Sequence, residues 1–340
     1  MDPNAMMGML DGFWDMPMVS GIAFHPSAAE PKFLGATTGP IRDGTFDVAG
    51  GDKISYRLYV PEGVTVKAVV YYFHGNAMVC TDADHLSDVF HAAGAALLSV
   101  DFRGFAWGTG QPSLTKLCSD ADECFGASLK LLESVGFGDA ALVMCGRSIG
   151  ASCAVHLAAT RADKVRGLII DNGLMSVKQL PVVAMMAPQL FGPQGEMMLQ
   201  MLPEPFDTVS KLSAIACPTL VMHAEQDEIV PVAQGVLCHE RIPSEQKKLR
   251  RWTRGGHNDV TFVNADEWNA EVRALVGLAV DYTNPFPAGV TVEAHSLSNP
   301  DFNGLRGKVL GPQGERFRVA FPSPMGEKAL KPANLKIVDT

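Results

Sequence analysis

Ala141-Leu142-Val143-Met144-Cys145-Gly146-Arg147-Ser148-Ile149-Gly150, followed by Ala151-Ser152-Cys153-Ala154, is the stretch that decides how this chain folds. Its first five residues are apolar and of strand length, the next five read Gly-x-Ser-x-Gly, and the small residues after them suit a helix. Ser148 is therefore expected at a sharp strand-to-helix turn, with its hydroxyl presented outward. The two glycines answer a steric demand, because such a turn strains the backbone and leaves no room for side chains beside the neighbouring strands. With 33 glycines in 340 residues the pattern alone is weak. Its place at the end of a buried-type strand gives it weight.

Outward from this stretch the chain alternates strands and helices. On the N-terminal side, residues 46–60 read as a hairpin turning at Gly50-Gly51-Asp52, with Ile54, Tyr56, Leu58 and Val60 alternating. Residues 66–73 form an apolar strand running into the loop His74-Gly75-Asn76-Ala77. A helix over 82–93, a strand over 95–100 ending in Asp101-Phe102-Arg103-Gly104, and a helix over 119–134 complete this half. On the C-terminal side, strands are expected at 167–171 and 217–223, with a weaker edge strand at 249–252. A helix over 265–282 follows, with Trp268, Val272, Leu275, Val276 and Ala279 on one face. This rhythm predicts an α/β fold with a mostly parallel central sheet, helices on both faces, and a site at the strands' carboxyl ends.

The expected organisation is an irregular lead-in over 1–44, an α/β domain over 45–282, a linker over 283–300 and a small β-rich module over 301–340. Within the domain, residues 174–206 interrupt the rhythm with six methionines and five prolines. An insertion of this size at the carboxyl face reads as a lid, and methionine suits a wall that accepts varied apolar shapes. Met185 and Met186 are the expected substrate contacts; ordinary helical packing over the sheet is the alternative. In the module, Arg306-Gly307-Lys308-Val309-Leu310, a Gly311-Pro312-Gln313-Gly314 turn, Arg316 to Phe321 and Ala329 to Val338 resemble the strands of a small SH3-like unit, which offers a surface for a protein partner.

Composition narrows the function classes. A content of 47% hydrophobic and 19% charged residues is that of a globular protein. The net charge of −9 speaks against nucleic acid, and the one basic run, Lys247-Lys248-Leu249-Arg250-Arg251, reads as a solvated strand edge. The seven cysteines show no regular spacing and fall in apolar stretches, which implies reduced core thiols and a cytoplasmic compartment. Residues 1–18 lack a basic leader, and the long uncharged stretch at 179–195 is broken by prolines, so neither a signal peptide nor a transmembrane segment is expected. No histidine or cysteine spacing suits zinc; no metal and no cofactor are expected.

A serine hydroxyl becomes a nucleophile only when a histidine takes its proton and a carboxylate orients that histidine. In elbow hydrolases the order along the chain is Ser, acid, His. Asp227 lies in His223-Ala224-Glu225-Gln226-Asp227-Glu228-Ile229-Val230-Pro231 and His257 in Gly255-Gly256-His257-Asn258-Asp259, each just beyond an expected strand. Glu225 and Glu228 are rivals to Asp227. His223 reads as a packed residue, and His85, His91, His156 and His239 fall in helical stretches. Oxyanion donors are expected in the backbone N–H of Ile149 and that of Asn76, with Ala77 as the alternative.

Phe73-His74-Gly75-Asn76-Ala77, Asp101 to Phe105, Gly146 to Gly150, Leu168 to Asn172, His223 to Pro231 and Gly255 to Asp259 together resemble the α/β-hydrolase superfamily. The resemblance covers about residues 20–282 and is strongest to the α/β-hydrolase-domain group, which includes protein depalmitoylases. It implies a triad of Ser148, Asp227 and His257 acting on esters, thioesters or peptides, with a small molecule or an acylated protein as substrate. The chain has neither the membrane-spanning N-terminus of some relatives nor the N-terminal cysteine cluster of the depalmitoylases, and the tail beyond 291 is additional. A serine peptidase and a non-catalytic scaffold are the other readings. Dehalogenase and epoxide hydrolase chemistry is excluded, because it needs a carboxylate where Ser148 stands.

Overall fold

Every side chain of the strand Ala68–Phe73 is buried, yet alternate positions serve different cores. Val69, Tyr71 and Phe73 join one apolar cluster, and Ala68, Val70 and Tyr72 join another. This is the two-residue period of a strand covered on both faces, and it explains why the segment reads as a continuous apolar run. The strand is β3 of an eight-stranded sheet in a computed structural model that describes residues 12–35, 39–283, 286, 289–313, 316–331 and 334–338.

The sheet comprises β1 (Ile41–Val48), β2 (Asp52–Tyr59), β3, β4 (Ala95–Val100), β5 (Ala141–Arg147), β6 (Val165–Asp171), β7 (Thr219–Ala224) and β8 (Lys247–Trp252), in the order β1-β2-β4-β3-β5-β6-β7-β8. The β1–β2 and β2–β4 pairs are antiparallel and the other pairs parallel, so β2 alone runs against the rest. The first cluster packs helices α3 (Leu117–Ser134) and α4 (Gly150–Thr160) on one face; the second packs α2 (Asp84–His91) and α8 (Ala265–Asp281) on the other. Between α4 and α8 the chain forms α5 (Pro181–Phe191) and α6 (Gly195–Met201) in the insertion, and α7 (Val232–Arg241) between β7 and β8. The basic run is an edge strand as expected. Lys248 pairs with Glu271 at 2.7 Å, Arg251 with Glu225 at 3.1 Å, and Arg250 lies over the Trp252 ring.

Four expectations need correction. The hairpin begins at Ile41, and the lead-in is not irregular throughout. Residues Pro17–Ala23 form helix α1, with proline at its first position, and Phe13, Trp14 and Phe24 are buried in the main core. The linker over 283–300 is also too long. Thr291–Ala294 is a strand, β9, which sits between β10 (Arg306–Gln313) and β13 (Leu335–Ile337) in a second sheet ordered β12-β11-β10-β9-β13, with β11 at Arg316–Ala320 and β12 at Glu327–Leu330. Four residues with only Val292 and Ala294 facing inward are too few to stand out as a strand among prolines, glycines and serines. Finally, Gly311 to Gln313 belong to β10, and the expected turn's Gly314 lies outside the described residues, as do Asn284, Pro285, Pro287 and Ala288 of the expected linker.

The second sheet pairs antiparallel throughout and holds its own core of Val292, Ala294, Val309, Phe317, Val319, Phe321, Leu330 and Leu335, closed by Phe286 at 5.2 Å from the Phe317 ring. None of these side chains belongs to either core of the main sheet. A chain ending at Thr283 is therefore expected to keep the main thermal unfolding transition within the ~4 °C that a loss of about 1 kcal/mol produces. Calorimetry of the truncated and full chains checks this, and disappearance of the transition would show that the main sheet depends on the tail.

Candidate active site

Ser148 follows the last residue of β5 and has φ of 51°, a left-handed conformation that a non-glycine residue adopts at a cost of about 1–3 kcal/mol. Its N–H donates to the Asp171 carbonyl at 3.0 Å. A Cβ built at Gly150 would lie 2.3 Å from the Phe73 carbonyl oxygen and 2.6 Å from that of His74, at the end of β3. One built at Gly146 would lie 2.5 Å from Cα of Ala151. Gly150 thus makes room for a neighbouring strand, as the sequence implies, whereas Gly146 makes room for the first turn of α4.

The loops after β7 and β8 meet over this turn. Ser148 Oγ lies 3.0 Å from His257 Nε2, and His257 Nδ1 lies 2.7 Å from Asp227 Oδ2. The other Asp227 oxygen accepts the N–H groups of Ile229 at 2.9 Å and Val230 at 2.7 Å. Burial pushes the Asp227 carboxyl up, but hydrogen bonds from His223, His257 and the Val230 backbone outweigh it and hold the group well below the ordinary carboxylate range. His223 is fully buried, with Nε2 at 2.9 Å from the Val230 carbonyl and 3.4 Å from Asp227 Oδ2, so it braces the acid's loop. Gly235 stands against the His223 ring, where a Cβ would lie 2.6 Å from Nδ1. Of the rival acids, Glu225 pairs with Arg251, and Glu228 accepts the backbone N–H of His257 at 3.1 Å. Neither bonds to the imidazole.

Asn76 and Ile149 line the same cavity as Ser148 and His257. Among the described residues nothing accepts from the backbone N–H of Asn76, Ala77 or Ile149, which leaves these donors available to a ligand atom. The loop carrying Asn76 is fixed from beneath. His74 is fully buried, with Nδ1 at 2.8 Å from the Gly75 carbonyl and Nε2 at 2.9 Å from Asp101 Oδ1. Asn76 Oδ1 in turn accepts the N–H of His25 at 2.9 Å, which ties the lead-in to the site.

Above Ser148 lies a cavity of about 380 Å³, and its walls are mostly apolar. Val183, Met186, Ala187, Leu190 and Phe191 of α5 form one side, with Leu199 of α6. Met185 does not contribute: it is 70% exposed and points outward. At about 100° per residue, Val183, Met186, Ala187, Leu190 and Phe191 gather on one face of α5, and Met185 falls on the opposite side of the helix. The second wall went unrecognised in the sequence. Phe13, Trp14, Val19, Ile22 and Ala23 of the lead-in line the cavity, the Phe13 ring meets Phe191 at 5.2 Å, and Trp14 Nε1 donates to the Pro203 carbonyl at 2.8 Å. The 19-22-23 spacing is the helical signal that could have revealed it. Arg147 and Asn172 were also overlooked; both donate to the His257 carbonyl, at 2.7 and 3.1 Å. Among the described residues no group of three His, Cys, Asp or Glu side chains is placed to hold a metal ion, and no helix is long and apolar enough to cross a membrane.

Comparison with known proteins places this geometry in context. Residues 64–195 match the serine aminopeptidase S33 family, a span that contains Ser148 and ends before Asp227 and His257. The chain is 29% identical to the bem46 protein of Schizosaccharomyces pombe over 61% of its own length and 68% of that protein's. It is 27% identical to the α/β-hydrolase domain-containing protein aho-3 of Caenorhabditis elegans, covering 66% of this chain and 63% of that protein. To the mouse α/β-hydrolase domain-containing protein 17C it is 26% identical over 60% of this chain and 58% of the relative. The last two matches span less than two thirds of those relatives. Among solved structures, the esterase Pf2001 of Pyrococcus furiosus superposes with a TM-score of 0.57 at 15% identity, over 74% of this chain and 98% of that one. Est1E of Butyrivibrio proteoclasticus does so with a TM-score of 0.53 at 16% identity, over 68% and 99%. The order of the eight strands, the serine elbow and these likenesses agree: the chain has the α/β-hydrolase fold and is similar to hydrolases of that fold.

Proposed function

We propose that the protein is a serine hydrolase of carboxylic esters or thioesters with an apolar acyl chain, working through an acyl-enzyme. The observation that carries this reading is the 3.0 Å approach of His257 Nε2 to Ser148 Oγ at the floor of an apolar cavity. Ser148 Oγ attacks the substrate carbonyl carbon while His257 Nε2 takes its proton, and Asp227 holds the imidazole in the required tautomer. The carbonyl oxygen becomes an oxyanion between the N–H groups of Ile149 and Asn76. As the C–O or C–S bond breaks, His257 returns the proton to the leaving group. Water then repeats the sequence and frees the acid.

The walls argue for the acyl group. Burying each methylene contributes roughly 0.8 kcal/mol, so binding should grow with chain length until the space is filled. The matched family's name raises a peptidase as the second reading. An aminopeptidase must hold a cationic α-amino group, and among the described residues that line the cavity there is no aspartate or glutamate to do so. Either a free small molecule or an acylated protein can present such an acyl group. The unpaired state of all seven cysteines accords with a cytoplasmic setting. Among the described residues the C-terminal sheet contributes none to the cavity, and we assign it to binding a protein partner rather than to chemistry.

Ser148→Ala and His257→Ala are expected to lower kcat on the order of 10⁵-fold and Asp227→Asn somewhat less, with Ser148→Ala also losing covalent labelling by a fluorophosphonate. Full labelling of Ser148→Ala, or greater damage from Glu228→Gln than from Asp227→Asn, would refute the assignment. In a series of esters from acetyl to palmitoyl with one leaving group, kcat/KM should rise with chain length and then level off. Met186→Glu should cut the long-chain rate about tenfold and spare acetyl ester, whereas Met185→Glu should change neither; a loss of one desolvated contact is worth about 1–2 kcal/mol. A steady fall in kcat/KM from acetyl upward would mean that the insertion packs without binding acyl chains.

A further inference from the structure

Arg147, the residue between Gly146 and the nucleophile, touches neither the hydroxyl of Ser148 nor the ring of His257, yet it joins their supports. It ends β5 directly opposite Asp171 in the β5–β6 register. Its Nη1 donates to Asp171 Oδ2 at 3.2 Å and its Nη2 to the backbone carbonyl of His257 at 2.7 Å. That carbonyl also accepts from Asn172 Nδ2 at 3.1 Å, and Asn172 Oδ1 accepts the N–H of Ala224 at the end of β7 at 2.8 Å. Asp171 closes the circuit, since its carbonyl accepts the N–H of Ser148 at 3.0 Å and its Oδ2 accepts from Thr261 Oγ1 at 3.4 Å. Only 11% of the Arg147 side chain is exposed, so these charge-assisted bonds are little screened.

We propose that Arg147 is a positioning residue for the hydrolysis: braced by Asp171, its guanidinium fixes the His257 backbone and thereby sets Nε2 against Ser148 Oγ. This rests on the reading of Ser148 as nucleophile. The geometry has a direct mechanical sense. Ser148 rides on β5, whereas His257 sits on a loop beyond β8, three strands away in the sheet. Covalent structure does not hold the two in register, and a misplacement of ~1 Å at a reacting centre can cost on the order of 100-fold. Arg147 spans that gap with one planar fork, which a point-charge ammonium cannot reproduce at both acceptors. A second cavity of about 200 Å³, lined by Tyr72, His85, Asp171, Thr261 and Trp268 among others, also reaches Arg147 and gives a small cation access to its place.

The test uses the full chain with a short-chain p-nitrophenyl ester, and rates are expressed per folded molecule from circular dichroism. Arg147→Ala should lower kcat about 100-fold with KM nearly unchanged, and Arg147→Lys about tenfold, since only one acceptor is regained. Millimolar guanidinium chloride should raise the rate of Arg147→Ala several-fold, with no such effect on the unsubstituted chain or from sodium chloride at equal ionic strength. A kcat within twofold of the unsubstituted chain, or a loss that follows unfolding and does not respond to guanidinium, overturns the proposal. Should Arg147→Ala fail to fold, Arg147→Lys decides: an unchanged kcat overturns the positioning role. Ser148→Ala separates the two readings. If it retains turnover, the hydrolase assignment fails; if it is inactive while Arg147→Ala is fully active, only the positioning role fails.

Discussion

The site depends on how little space lies beneath Ser148. Backbone at the end of β3 approaches so closely that a Cβ at Gly150 would stand 2.3 Å from a carbonyl oxygen, and the first turn of α4 excludes one at Gly146 as well. Only with glycine at both places can the chain reverse this sharply, and the reversal puts Ser148 at φ 51° with its hydroxyl outward. The same crowding sets Ile149 beside the His74–Ala77 loop, so one steric constraint yields both a presented serine hydroxyl and, with Asn76, Ala77 and Ile149, unengaged N–H donors near it. Strain stored at one residue is tolerated because the buried strands on either side over-determine its conformation.

The charges around Ser148 form one connected arrangement. Asp227 keeps its negative charge because both oxygens are fully engaged, one by backbone N–H groups and the other by His257 and His223. It is therefore a fixed partner for the imidazole rather than a competing base. On the opposite side Arg147 and Asp171 tie the histidine's carbonyl to the elbow strand. His257 is thus held at Nδ1, at its N–H and at its carbonyl, leaving Nε2 as the one ring position that faces the cavity floor. Preorganisation of this kind removes motions that would otherwise have to be ordered during reaction.

The cavity is assembled from segments remote from one another in sequence. Residues 13–25, the loop at 75–78, helix α5 and the loops of Asp227 and His257 each supply part of its lining or floor. The lead-in and the insertion are also joined directly, through Trp14 to Pro203 and Phe13 to Phe191. Changes at Phe13 and Trp14, just before α1, are thereby coupled to the wall that the insertion forms.

Where the local chain carries a period or a punctuated turn, the sequence by itself determined the outcome. The two-faced strands, α3 and α8, the elbow, and the loops of Asp227 and His257 all follow from apolar runs, helical stripes and glycines that act within about ten residues. Chain order and strand ends therefore sufficed to propose Ser148, Asp227 and His257 together. What sequence could not supply was the identity of neighbours separated by long stretches of chain. It left α1 as an irregular lead-in, paired Met185 with Met186 on the cavity side, missed β9, and assigned nothing to Arg147 or Asn172. Only the tertiary structure decided these. Which face of a short helix is covered, and which carbonyl a guanidinium reaches, are fixed by elements arriving from elsewhere in the chain, and no local propensity encodes their arrival.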